Sequence, residues 1–472
     1  MTAKVNWIRN LADEEGLPRR RILLLTAYYP PRTAIGGARW EGFAGFLVDA
    51  GWSLDVLMET PSDDEVLDMS RVTHLPRGVR IAAYNRPQFA WHSALLSLSA
   101  RWRRSTSTDG IPASSRPSTN VGGEGVSRFR AFVRDVTAWR LTTQVNAKST
   151  EEVRRLAMTV ATGCSDIVVS SGPPHYVHVA GADVAKRLQL PHVVDLRDPW
   201  TGGALAESPW QRRTERDLAK EEHRVISEAA LTITNTASAR EALARRFPEV
   251  SQRIVAIPNG SDLPLQPKPN SALCEPFHIV HTGSLYLDRD PRPFLNAVAE
   301  VCRRRSLTPS DVRVTFMGPL VTIHGASLHE CASRAGIGSF VSVLPLGTRD
   351  QARSLLQSAT MAVAFQGATL TQIPAKVFEY VAYPLWLLAL VGADSATGEL
   401  LKDTEAIVLE LKDTGGIARA IERALDEYSL TGRPEPIGAA PLFSRERQAR
   451  LLLQQLEELV PSPGIRGFRG FV

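Results

Sequence analysis

An apolar strand followed by a helix recurs through this chain, and the rhythm restarts after a proline-rich break. That repetition constrains the fold most. Residues 21–28 form a continuous apolar run, as a strand of a parallel sheet covered on both faces requires. Pro30-Pro31, Gly36-Gly37, a helix over 38–50 and a strand over 53–58 follow. A strand at 166–170 leads through Gly172-Pro173-Pro174 into a helix at 176–188. The strand 192–196 runs into Arg197-Asp198-Pro199-Trp200. A strand at 231–234 precedes a helix with Ser238 as its expected cap, and 254–258 with Asn259-Gly260-Ser261-Asp262 closes the half. The segment 263–276 reads as the linker. Beyond it, strands are expected at 277–282, 312–317, 340–344, 361–365 and 385–391, with helices at 293–303, 328–335 and 349–358 between them. The fold class is α/β, with two doubly wound domains facing a central cleft. The expected boundaries are 1–262, a linker 263–276, a second domain 277–444, and a last segment 445–472 whose helix packs back on the first domain.

The 472 residues suffice for two or three domains. At 43% apolar and 22% charged, the composition is that of a soluble globular enzyme. No apolar run approaches the ~20 residues that cross a bilayer, and residues 1–21 lack the apolar core of a secretion signal. Cys164, Cys274, Cys302 and Cys331 lie far apart without metal-type spacing, so reduced thiols and a cytoplasmic location are expected. Between Gln88 and Arg134, seven arginines face only Asp109 and Glu124, an excess equal to the chain's whole net charge of +5. Such a local excess argues against a nucleic-acid-coating protein and for one anionic contact. Trp91, Leu95, Leu98 and Trp102 share a helical face ending in Arg101, Arg103 and Arg104. This face suits packing on the first domain, or peripheral docking on an anionic membrane. Residues 105–127, rich in Ser, Thr, Gly and Pro, read as a disordered insertion.

Chemistry concentrates in Ile373-Pro-Ala-Lys-Val-Phe-Glu379, a loop entering a short helix before a buried strand. Lys376 and Glu379, three apart, reach one spot near the helix N-terminus. A helix N-terminus and a lysine attract phosphate, and a carboxylate accepts hydrogen bonds from a ribose diol, so the pair suits a nucleoside diphosphate. An exposed surface ion pair is the plain alternative. Arg197 and Asp198 end a strand, where open α/β sheets carry their sites. Their plain alternative is pairing with each other. Gly36-Gly37 ahead of a helix lets backbone approach a ligand, and His175 reads as a surface-loop histidine.

The opening strand with Pro30-Pro31 and Gly36-Gly37 resembles glycosyltransferase family 4, as do Asp195-Leu-Arg-Asp-Pro-Trp200, His281-Thr-Gly-Ser-Leu-Tyr286 and Pro374-Ala-Lys-Val-Phe-Glu-Tyr380. The resemblance spans nearly the whole chain outside the insertion and implies a GT-B fold. It implies transfer of a sugar from a nucleotide donor to a glycan or lipid-linked acceptor, with retention, in bacterial surface polysaccharide or glycoconjugate assembly. Glu379 would hold the ribose. The family often has a second glutamate where Thr371 stands and an arginine where Ser284 follows Gly283, and Arg289 and Arg292 are the nearest cations in sequence. No metal is expected. Diphosphate charge would then fall to Lys376, Arg289, Arg292 and the Gly283-Ser284 amides. Asp198 and Arg197 would stand at the reaction centre, with Gly36, Gly37 and Arg39 in the loop facing phosphate and acceptor. A nucleotide-sugar epimerase and a non-catalytic sugar-nucleotide-binding scaffold are the rival readings.

Overall fold

The computed structural model describes residues 6–10, 20–87, 123–161, 165–201, 209–268, 276–285, 289–319, 326–367 and 370–460. Contacts divide the chain into two compact units. The first holds Met1–Thr232, Phe247–Arg253 and Leu459–Val472, and the second Ile233–Arg246 and Ile254–Glu458. Helix Arg445–Leu459 therefore groups, through Glu458, with the second unit.

The first sheet contains β1 (Asn6–Arg9), β2 (Arg20–Thr26), β3 (Trp52–Glu59), β4 (Val79–Tyr84), β5 (Ile167–Gly172), β6 (His192–Leu196), β7 (Leu231–Thr234) and β8 (Ile254–Ala256). Their order is β1-β4-β3-β2-β5-β6-β7-β8. β2 pairs in parallel with β3 (Ile22 opposite Leu54) and with β5 (Leu24 opposite Val169). Every residue of β3, β5 and β6 is buried, which explains the unbroken apolar runs: both faces are covered. One cover is helix Tyr176–Leu188; another is the C-terminal part of helix Gly123–Val160, which buries Val153, Leu156, Ala157 and Val160 at helical spacing. Chain order reverses direction between β2 and β5, the kind of switch point beside which open α/β sheets carry their sites.

The second sheet contains β9 (Phe277–Thr282), β10 (Val312–Met317), β11 (Val341–Leu344), β12 (Met361–Phe365), β13 (Trp386–Leu390) and β14 (Ile407–Leu409). Its order is β11-β10-β9-β12-β13-β14, and its recorded pairings are parallel. Its switch point lies between β9 and β12. Phe294, Phe316 and Phe365 pack edge-on or stacked in the core beneath it.

The strands β1, β4 and β14 escape the sequence reading, the first and last at sheet edges and β4 between β1 and β3. β1 pairs antiparallel with β4 (Asn6 opposite Ala83), and β14 has only three residues. Part of the expected insertion, 105–122, lies outside the described residues, as does the stretch Trp91 to Trp102. Residues 123–127 open the helix Gly123–Val160 instead of continuing the insertion. The cap of helix Ala237–Arg246 is Thr236, not Ser238. Its Oγ1 accepts from Ala239 N at 3.1 Å and donates to Thr371 O at 2.6 Å, a tie that Ser238, inside the first turn, cannot make. Thr236→Ala is expected to cost about 1–2 kcal/mol of unfolding free energy in urea, while Thr236→Ser retains most of it.

Candidate functional site

At the first switch point a carboxylate lies fully buried. Asp195, in β6, accepts from Arg39 Nε at 3.1 Å, Trp40 Nε1 at 2.8 Å and Ser171 Oγ at 2.8 Å. Arg39 itself is 4% exposed. Helix Ala38–Asp49 is thereby bolted to β5 and β6 by a desolvated ion pair whose lone pairs are satisfied. Arg197 makes a second bolt above it. Its Nη1 donates to Gly36 O at 2.5 Å, its Nε to Gly172 O at 3.3 Å, and its Nη2 to Pro173 O. A Cβ on Gly36 would lie 2.3 Å from Arg197 Nη1 and 2.8 Å from Tyr28 Cδ2, so a side chain here would displace the guanidinium and the Tyr28 ring. Burial lowers the Arg197 pKa and raises that of Asp198, the latter opposed by the Arg197 charge.

His175 is not a plain surface histidine. It is half-buried and stacks on Trp200, with ring centroids 5.0 Å apart and planes 12° apart. Burial, then the Arg197 charge, pushes its pKa down to about 4, so it is neutral at pH 7. Below it Ser170 Oγ bonds His178 Nδ1 at 2.8 Å and His192 Nε2 at 2.9 Å. Nothing in the sequence signalled this histidine group, since its members come from β5, β6 and the helix between them.

At the second switch point, Lys376 Nζ lies 2.7 Å from Glu379 Oε2, with side chains 33% and 24% exposed. Helix Ala375–Tyr380 has only six residues, so its dipole is slight and the two side chains carry the charge. Tyr380, buried, anchors it: its hydroxyl accepts from Thr282 N at 2.8 Å and donates to Thr282 O at 3.0 Å. Gly283 follows at φ +143°, a region favouring glycine, and a Cβ there would lie 3.7 Å from Lys376 Cγ. Gly318, at φ +150°, packs where a Cβ would lie 2.2 Å from Gly283 O.

The structure therefore gathers Gly283, Lys376 and Glu379. Ser284, half-buried, continues the Gly283 loop, and Arg289 Nη1 approaches its carbonyl at 3.5 Å. Arg292 pairs with Asp290 (Nη2 to Oδ2 2.6 Å). Thr371 is half-buried, its carbonyl taken by Thr236. The loop before it is tied by Gln366 Nε2 to Gln372 O at 2.8 Å. In the first unit Arg197 and Arg39 turn their guanidinium groups onto protein acceptors, and Asp198 stands beside them, half-buried.

No protein-family model matches the chain, and no curated protein matches its sequence. Solved structures do match in shape. Anabaena HepE in complex with UDP aligns with a TM-score of 0.58 at 14% identity, over 93% of this chain and 100% of that one. Sucrose-phosphate synthase from Thermosynechococcus elongatus aligns at 0.56 and 15% identity, over 93% and 99%. The lipopolysaccharide outer core galactosyltransferase WaaB aligns at 0.55 and 9% identity, over 93% and 99%. The chain has the GT-B fold. Both switch points thus lie at carboxyl ends of parallel strands in a GT-B protein. Among the described residues no helix is long and apolar enough to cross a membrane. Arg39→Met, which strands the Asp195 carboxylate, is expected to cost about 3–5 kcal/mol by urea unfolding, and adding Asp195→Leu to recover most of it.

Proposed function

We propose that the protein is a nucleotide-sugar-dependent glycosyltransferase of the family 4 type. The observation that carries this reading is the convergence of Gly283, Lys376 and Glu379 at the second switch point of a GT-B chain. Glu379 exchanges its ammonium partner for the two ribose hydroxyls, and the released Lys376 turns to the diphosphate. Gly283 and Ser284 offer amides, Arg289 and Arg292 further positive charge, and the Thr371 segment faces the donor sugar. Departure of the diphosphate then needs no metal, because fixed cations and amides stabilise the charge that develops. HepE has been solved with UDP, with UDP and glucose, and with UDP-glucose, which supports a ligand of this class.

The first unit takes the acceptor, a glycan or a lipid-linked sugar. Gly36 and Gly37 shape its loop, held from beneath by Arg39 and from the side by Arg197. Asp198, its pKa raised by burial, accepts a hydrogen bond from the attacking hydroxyl. The acceptor oxygen bonds to the anomeric carbon as the bond to the diphosphate breaks, and the hydroxyl proton leaves for Asp198 or the departing phosphate. Retention, a role in bacterial surface polysaccharide assembly, and work in the cytoplasm at the inner face of the plasma membrane complete the proposal.

The test is incubation with UDP-, GDP- and dTDP-sugars and candidate acceptors, following nucleotide release. Acceptor-dependent diphosphate release is expected. Release of an epimer, or binding without turnover, would instead favour the epimerase or the scaffold. Glu379→Ala should weaken donor binding about 10- to 100-fold, the worth of hydrogen bonds to one charged group, with thermal unfolding unchanged.

A further inference from the structure

His281 is the penultimate residue of β9, two before Gly283, and is 6% exposed. Its Nδ1 lies 2.8 Å from the carbonyl of Val363. A carbonyl only accepts, so Nδ1 keeps its hydrogen and a neutral ring leaves Nε2 a bare acceptor. That buried Nε2 has no hydrogen-bond partner. Phe316 and Phe365 flank the ring, with centroids at 6.0 and 5.1 Å, and offer it nothing polar. In the direction of Gly283 there is space. A Cβ there would lie 3.6 Å from Nε2 and 3.7 Å from Lys376 Cγ, so the missing side chain leaves an atom-sized cradle between imidazole and lysine.

We infer that His281 is a further residue of the donor site: it takes up a proton as a sugar nucleotide binds, and its Nε2–H donates to a phosphate oxygen seated over Gly283. This rests on the glycosyltransferase reading above. An unpaired buried acceptor is costly, and a phosphate oxygen, itself an acceptor, relieves that cost only if Nε2 carries a proton. The charged groups facing the ring are Lys376, from the short helix, and Arg289, from the loop after β9, with Glu379 beyond Lys376. Strands β10 and β12 present phenylalanines. Without ligand, burial foremost and then these two cations hold the imidazole pKa down at about 4. A bound diphosphate neutralises both cations and supplies the acceptor, so the pKa in the complex is higher than in the free protein. The proton comes from solvent. By linkage, affinity rises as pH falls toward the free-protein value and levels off above the pKa of the complex.

The probes are UDP-glucose and GDP-mannose, whose diphosphates are esterified at both ends and do not titrate between pH 5.5 and 8. Calorimetry of the full-length chain at pH 5.5, in two buffers of different ionisation enthalpy, should show net proton uptake on binding. Affinity for the binding probe should increase about three- to tenfold from pH 8 to 5.5. His281→Gln should lose both the proton uptake and the pH dependence of affinity. Binding without proton uptake, or uptake that persists in His281→Gln, overturns the role of His281 and leaves the glycosyltransferase reading standing. Failure of the wild-type chain to bind either probe overturns both.

Discussion

Burial of parallel strands on both faces governs everything else in this protein. β3, β5, β6, β9, β12 and β13 are covered throughout, so their side chains serve packing and leave polar chemistry to the loops at their ends. In each sheet the chain reverses its order once, between β2 and β5 and between β9 and β12, and the neighbouring loops part there. Gly36, Arg197 and Asp198 collect at one such place, and Gly283, Lys376 and Glu379 at the other. Asp195 and Asp55 are exceptions that show the rule's cost. Buried inside the sheet, Asp195 is held by a cation, an indole N–H and a hydroxyl, and Asp55 by Arg21 and Arg80.

Positive charge is used differently at the two places. In the first unit Arg39 and Arg197 are turned inward, one onto Asp195 and the other onto three backbone carbonyls. They fix loops relative to strands. In the second unit the Lys376–Glu379 pair remains partly exposed and can change partners. A salt bridge in that setting is weak, which suits groups that must part when a ligand arrives.

Glycine has a distinct physical cause at each site. Gly36 makes room for a guanidinium within the protein, whereas Gly283 and Gly318 adopt positive φ and let two loops touch. The sequence reading took Gly36-Gly37 as an opening for a ligand, and a spacing of glycines alone does not separate that from the demand of a neighbouring side chain 161 positions away.

Local pattern determined the strands at 192–196, 231–234, 277–282, 312–317 and 361–365, because a doubly covered strand is apolar over most of its length. It also marked Lys376 and Glu379 as neighbours, because helical geometry over three residues is a local matter. The strands β1, β4 and β14 and the long helix Gly123–Val160 were not legible, since β1 and β14 are short edge strands held by their pairing partners and the helix begins inside a stretch whose composition reads as an insertion. Tertiary structure alone decided that Arg39 belongs to Asp195, that Thr236 caps a helix while holding the Thr371 carbonyl, and that His281 faces Gly283 with a bare nitrogen. Each of these depends on chain segments brought together by the sheets, and a hydrogen bond has no signature in sequence until both partners share a place.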